Sequence, residues 1–343
     1  MGVFVIAEAG VNHNGDETLA VKLVETAAAC GADAVKFQTF SADNLVTPGA
    51  EKAEYQKQAT GNGDQYSMLK ALEMSPLLHQ KLVERCSVLG IEFMSTPFDE
   101  EATDFLLGLG MRRIKIPSGE ITNLPFLTFL AGKGLPLVLS TGMASLDEIQ
   151  VAIAIIADER TRQGYDEPLA QVLTILHCTS NYPAQCDDVN LRAMQTIADA
   201  TGLPVGYSDH TLGIAVSTAA VALGAVVIEK HFTLDKNMSG PDHKASLTPD
   251  ELTQLVRQIR DVEAALGSTI KQPTDSELPV RKLVRRSVTS TRCIGAGSVI
   301  QREDLALLRP GTGIAPVYLD AVVGRVAVRD IAPGTTLQWE NLM

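Results

Sequence analysis

Short apolar runs recur along the first 267 residues, each ending in polar or charged side chains. They cover residues 3–8, 31–38, 90–96, 110–118, 134–141, 172–177, 202–210 and 224–231. Six begin at a glycine (Gly31, Gly90, Gly110, Gly134, Gly202, Gly224), the residue that accepts the left-handed conformation just past a helix C-terminus. Continuous apolar runs suit parallel strands buried on both faces. Between them lie helix signals. Ser145 with Glu148, and Thr248 with Glu251, have capping-box spacing. Leu252, Leu255, Val256, Ile259, Val262 and Leu266 then fall on one helical face. Eight strands alternating with helices over about 265 residues predict an α/β fold of the closed (β/α)8 TIM-barrel type. An open doubly wound sheet is the competing architecture. The strand count and the lack of a G-x-G-x-x-G turn after the first strand disfavour it.

Two stretches break the rhythm. Residues 41–75 are long for a strand-to-helix connection and carry Gly61-Asn-Gly-Asp64, so they are either a functional loop or lid, or a solvated decoration. After the catalytic-size barrel of residues 1–267, residues 268–284 read as a linker around Lys271-Gln-Pro-Thr-Asp-Ser-Glu-Leu-Pro279. Residues 285–343 predict a small β-rich domain with an internal repeat. Ile294, Gly297, Ile300, Gln301, Glu303 and Leu305 recur, 37 positions on, as Ile331, Gly334, Leu337, Gln338, Glu340 and Leu342. Such a duplication implies a pseudo-two-fold unit. Its size is marginal for independent folding, so it is expected to pack on the barrel or on a partner subunit.

Composition narrows the function. The chain has 41 acidic and 29 basic residues and a net charge of −12 at pH 7, which disfavours a nucleic-acid binder. An anionic small substrate then needs a local cationic pocket. The apolar start meets Glu8 early and lacks a basic region, so it is expected to be a first strand rather than a signal peptide. No apolar run approaches membrane-spanning length. Five scattered cysteines without a C-x-x-C pair fit reduced thiols and a cytoplasmic location.

In a barrel of this kind the C-terminal strand ends converge on one mouth. The candidates there are Glu8, Lys36, Gln38, Ser95, Thr96, Lys115, Ser118, Ser140, Thr141, His177, Ser208, Asp209, His210, Glu229, Lys230 and His231. Lys36 and Lys115 each sit between apolar neighbours, a costly place unless they meet an anion or an internal salt bridge. Ser118, Ser140 and Ser208 could complete a phosphate cradle with backbone amides. His210 and His231 follow adjacent strands, so one divalent ion of manganese type could touch both. His79 falls in a helix-like stretch and is expected at the surface. His13 and His243 flank loops as pocket lining or turns.

Taken together these segments resemble the sialic acid synthase family. The likeness is carried by Ile6-Ala-Glu-Ala-Gly-Val-Asn-His-Asn-Gly15, Val35-Lys-Phe-Gln-Thr39, Lys115-Ile-Pro-Ser-Gly-Glu120, Gly206-Tyr-Ser-Asp-His210, Glu229-Lys-His-Phe-Thr-Leu-Asp235 and Gly240-Pro-Asp-His243. Arg309-Pro-Gly-Thr-Gly-Ile314 is similar to the family's antifreeze-like SAF domain. The resemblance implies a transferase that condenses phosphoenolpyruvate (PEP) with an N-acylated amino sugar. It implies that Lys36, Thr96, Lys115, Ser118, Ser140 and Ser208 hold PEP and that His210 and His231 bind a divalent metal, manganese by preference over magnesium or cobalt. It assigns Glu8, Gln38, Glu229 and Asp242 to the sugar and the chemistry. It also implies a domain-swapped homodimer in which Arg309 of one subunit reaches the partner's site. One place departs from the family pattern: Ser180-Asn181-Tyr182-Pro183 shifts the usual asparagine by one position, which leaves the shares of Ser180 and Asn181 in PEP binding, and of Tyr182 in sugar binding, open. The implied mechanism has the metal polarise the sugar aldehyde, the PEP methylene carbon attack it, and Glu8 serve the water addition that expels phosphate. N-acetylmannosamine, giving N-acetylneuraminate, is the default sugar; 2,4-diacetamido-2,4,6-trideoxymannose, giving N,N'-diacetyllegionaminate, fits the same motifs. A Schiff-base aldolase using pyruvate, with Lys115 or Lys230 as nucleophile, and a non-catalytic sugar- or ice-binding protein are the competing classes.

Overall fold

The computed structural model describes residues 2–343. The chain divides into two compact units, Met1–Gly267 and Ser268–Met343.

The first unit is a ring of eight strands: β1 (Phe4–Gly10), β2 (Ala34–Thr39), β3 (Glu92–Pro97), β4 (Ile114–Ile116), β5 (Leu137–Ser140), β6 (Leu173–Cys178), β7 (Val205–Asp209) and β8 (Val227–His231). All paired neighbours are parallel, in the order β3-β2-β1-β8-β7-β6-β5-β4. The short β4 lies against β3 and closes the ring by packing, with no ladder between them among the described residues. This is a TIM barrel, as the alternation of runs predicts. Both expected capping boxes form, at Ser145 with Glu148 and Thr248 with Glu251, and they start the helices Leu146–Arg162 and Pro249–Leu266. Gly90 and Gly202 end their helices at φ 72° and 67°, which is why the runs before β3 and β7 open on glycine.

The barrel holds two apolar layers. Outward-facing Val5, Ala7, Val35, Phe37, Ile114 and Ile116 pack under the helices in the main core. Inside the ring, Ile6, Ala34, Met94, Val138, Leu176 and Val227 form a separate layer. Gly206 leaves the space that layer needs, since a Cβ there would stand 2.6 Å from Leu176 Cδ2 and 2.5 Å from the Val227 carbonyl oxygen. Residues 41–75 fold as three short helices, Ala42–Leu45, Glu54–Thr60 and Gln65–Lys70, over a small cluster of Val11, Phe40 and Leu72 backed by Met68, Leu69 and Phe98.

In the second unit, part of the stretch expected to be linker is helical, Glu277–Val284. The sequence there carries Pro279, but at an early helical position, where its missing N–H costs nothing. The remaining residues form a two-stranded antiparallel sheet, β9 (Ser287–Ser290) and β10 (Leu305–Leu308), with isolated bridges. The internal repeat is a structural one. Gly297 N donates to the Ala327 carbonyl and Gly334 N to the Ser290 carbonyl, both at 2.8 Å. Ile294 and Ile331 exchange reciprocal backbone hydrogen bonds of 2.9 and 2.8 Å, as residues on a two-fold axis must.

Candidate active site

Strand side chains return to the same face every second residue. Two positions after Ile6, Ala34, Met94, Val138, Leu176 and Val227 come Glu8, Lys36, Thr96, Ser140, Cys178 and Glu229, and all six line one cavity of ≈ 510 Å³ at the C-terminal mouth of the barrel. Lys115, Ser118, Ser180, Ser208, His210, His231, Gln38, Tyr182 and Asp242 line it too. The same alternation turns other strand-end candidates outward. Ser95 Oγ is 2.6 Å from Thr39 Oγ1, His177 Nε2 donates to the Val189 carbonyl at 2.7 Å, and Lys230 Nζ lies 2.9 Å from Asp209 Oδ2. Lys230 is therefore not available as a Schiff-base nucleophile in the mouth; its neighbours Glu229 and His231 take the inward face.

Four ionisable groups meet at the floor. Lys36 Nζ lies 2.8 Å from Glu8 Oε2 and 3.5 Å from Glu229 Oε2, and donates to Thr96 Oγ1 at 2.9 Å. Lys115 Nζ lies 3.5 Å from Glu229 Oε1, which also accepts from Ser208 Oγ at 2.8 Å. The two acids are driven apart. Burial pushes Glu8 up to about 7, against the pull of Lys36 and with the help of Glu229. For Glu229 burial acts upward too, but Lys115, Lys36 and Ser208 together outweigh it and hold it at about 2. Burial opposes the charge of Lys36, yet Glu229 and Glu8 prevail and raise it; on Lys115 burial wins and lowers it. With Glu229 held ionised between Lys36 and Lys115 and Glu8 shifted toward its neutral form, the floor carries less negative charge than two ordinary carboxylates would, which favours the entry of an anion. Ser140 Oγ is buried without a hydrogen-bond partner, an acceptor and donor waiting on that same wall.

The rim is aromatic. Tyr182 sits 4.0 Å, centroid to centroid, from His210 and edge-on to His231 at 5.7 Å. Tyr55, from the helix Glu54–Thr60, stacks on Tyr182 at 5.0 Å. His210 Nδ1 donates to the Thr179 carbonyl at 2.7 Å, which leaves Nε2 as its free lone pair. His231 lies 5.5 Å from His210 between ring centroids, and its buried Nδ1 has no partner. No group of three or more His, Cys, Asp or Glu side chains gathers as a metal cluster among the described residues. The donor set, two unengaged imidazole nitrogens beside a polar cavity, fits a divalent ion that keeps positions open for water or substrate. Asp242 is pushed up to about 6 by burial, partly offset by His210.

Several expectations need correcting. Asn181 is exposed and does not line the cavity: its side-chain oxygen accepts from Tyr182 N at 3.1 Å, leaving Ser180 on the wall. His79 is buried, not superficial; its Nδ1 donates to the Ser75 carbonyl at 2.9 Å and its Nε2 accepts from Thr39 Oγ1 at 2.8 Å. Of the two readings for His13 and His243, the turn holds rather than the pocket lining: both are buried in loop turns, bonded to Gly15 N and to Thr233 Oγ1 respectively. Arg309 is exposed on the second unit, just after β10. Residues 41–75 do more than decorate, since Tyr55, Gln56, Gln65, Met68, Leu69 and Leu72 line the cavity. Sequence reasoning missed these, and Cys178; the two-residue step from Leu176 was the signal for the thiol.

The comparisons agree with this geometry. The NeuB family model matches residues 23–271 and the SAF domain model residues 285–343. The chain is 57% identical, over 100% of its length and 95% of the relative's, to N,N'-diacetyllegionaminic acid synthase of Legionella pneumophila. It is 48% identical to the N,N'-diacetyllegionaminic acid synthase of Campylobacter jejuni, over 95% of this chain and 96% of that one. Among solved structures, the N-acetylneuraminic acid synthetase of Leptospira borgpetersenii superposes with a TM-score of 0.70 at 34% identity, covering 82% of this chain and 90% of that one.

Proposed function

The chain belongs to the NeuB family of sugar-acid synthases and is an enzyme, and on that premise we propose that it condenses PEP with 2,4-diacetamido-2,4,6-trideoxymannose to give N,N'-diacetyllegionaminate and phosphate. The observation that carries the reaction class is the floor: two buried lysines, Lys36 and Lys115, around one ionised carboxylate, Glu229. PEP brings a phosphate and a carboxylate, and each of the two lysines can face one of them and offset part of its charge. Ser118, Ser140, Ser180 and Ser208 supply hydroxyls around them, and Thr96 fixes Lys36.

Two findings favour the diacetamido sugar over N-acetylmannosamine. The relatives of 57% and 48% identity are both diacetyllegionaminic acid synthases. The outer wall also carries an apolar stretch, Met68, Leu69 and Leu72 of the 41–75 segment together with Val11 and Phe98, beside the polar Gln56 and Gln65. A methyl at C6 and an acetamido methyl at C4 suit that apolar stretch, where a hydroxyl would lose water without gaining a partner. Gln38, Tyr182 and Asp242 provide the polar contacts to the sugar.

In the reaction the PEP methylene carbon bonds to the aldehyde carbon, water adds at the former enol carbon, and the C–O bond to phosphate breaks. Glu8, held near 7, can carry or release the proton that the water addition transfers. Glu229 stays ionised and keeps Lys36 and Lys115 in place. His210 and His231 would hold the divalent ion, manganese for preference, which when bound supplies Lewis-acid polarisation of a carbonyl oxygen. The enzyme acts as a homodimer in which Arg309 of one subunit completes the sugar site of the other.

The test is phosphate release from PEP with manganese, run with each sugar in parallel. Faster release with the diacetamido sugar is expected. Release with N-acetylmannosamine alone would reassign the substrate, and pyruvate consumption that borohydride traps on Lys115 would overturn the synthase reading.

A further inference from the structure

Behind the two rim histidines, on the outer face of the barrel, lies a charged knot that the proposed chemistry does not use. Asp209 and Lys230 are each 1% exposed. They are register partners on β7 and β8, and their side chains meet at 2.9 Å. Asp209 Oδ1 accepts from both the backbone N and the Oγ1 of Thr211 at 2.8 Å, and Oδ2 accepts from Ser217 Oγ at 2.5 Å. Lys230 Nζ also donates to the Thr211 carbonyl. The pair is thus tied to Thr211, the residue after His210, through its backbone N–H, carbonyl and hydroxyl, and to Ser217 through its hydroxyl.

A buried ion pair is weak evidence for stability, since hydrophobic replacements often do as well. Its geometry is what differs here. The carboxylate clamps residues 209 and 211 into one tight turn, and the residue between them is His210. The ammonium ties that turn to β8 one residue ahead of His231. On the other side, Ala184 N donates to the His210 carbonyl at 2.9 Å, so the backbone of His210 is held from both directions. The spacing of two imidazoles on separate strands depends on strand register, and the knot fixes that register where the strands end.

We infer that Asp209, Lys230, Thr211 and Ser217 are positioning residues that set the separation of His210 and His231 and so create the divalent-ion site. This rests on the reading that those histidines hold the ion. The full-length protein would be stripped of metal. Manganese binding would then be followed by the loss of the free-ion paramagnetic resonance signal, and PEP binding without metal by calorimetry. Ser217→Ala removes one bond to Asp209 and leaves the charges paired; the double variant D209N/K230M removes both charges together, so no lone buried ion remains. The expected result is manganese affinity about threefold weaker for Ser217→Ala and about 10–100-fold weaker for the double variant, the range for outer partners of metal ligands. PEP affinity, which depends on the floor, stays unchanged in both. Wild-type manganese affinity in the folded variants, with His210→Ala devoid of it, overturns the inference alone. Manganese binding that survives His210→Ala overturns the metal reading and this inference with it. Parallel loss of manganese and PEP affinity marks general structural damage and also overturns it.

Discussion

Gly142 illustrates how little room the proposed anion cradle leaves. Its N–H donates to Ser118 Oγ at 2.9 Å, and a Cβ on it would stand 2.2 Å from Ser180 Oγ and 2.9 Å from Ser118 Oγ. Gly142→Ala is expected to displace both hydroxyls at a strain of about 1–3 kcal/mol, raising the KM for PEP roughly tenfold or more. Steady-state kinetics decide it; an unchanged KM removes Ser118 and Ser180 from the cradle. Such close packing was invisible in the sequence, where Gly142 is one of many glycines. Lys36 and Lys115 were legible because a lysine between apolar strand residues is costly and demands a reason. Lys230, flanked by Glu229 and His231, lacks that signature and has a different answer: an odd step along β8 sends it to Asp209 instead of the cavity.

At the scale of the element, the helix Gln65–Lys70 brings Met68 and Leu69 over the mouth and the helix Glu54–Thr60 brings Tyr55 onto Tyr182. Met68→Gln is expected to lower kcat/KM for the diacetamido sugar relative to N-acetylmannosamine by about tenfold, the order a pocket gives for one apolar contact. Competition between the two sugars for limiting enzyme measures the ratio directly, and an unchanged ratio takes the wall out of sugar selection. The barrel elements were legible because each repeats an apolar run with a polar end, six of the eight opening on a glycine. The 41–75 segment was not, because helices of four to seven residues are too short to show a period. His79 was misjudged for a related reason: its partner Thr39 lies on β2, forty residues away, and helix spacing alone cannot reveal it.

For the molecule as a whole, the proposed dimer has a signature of its own. If Arg309 serves the partner's barrel, mixing Arg309→Ala with Glu8→Gln rebuilds one intact site in each mixed dimer. After exchange of subunits, about a quarter of wild-type turnover should return from two inactive parents. No recovery would mean that Arg309 acts within its own chain or not at all. The small unit carries symmetry of another kind. Its halves present each other with the same donors and acceptors, and Ile294 and Ile331 pair across the axis as equals. Such an arrangement is what two identical polypeptides make on associating. Joined on one chain, the halves no longer depend on meeting in solution, because each is supplied to the other at a high, fixed effective concentration. Once joined they are free to diverge: Asp304 and Asn341 already differ in charge while accepting the same bond, from Gln301 N and Gln338 N, at 2.8 Å.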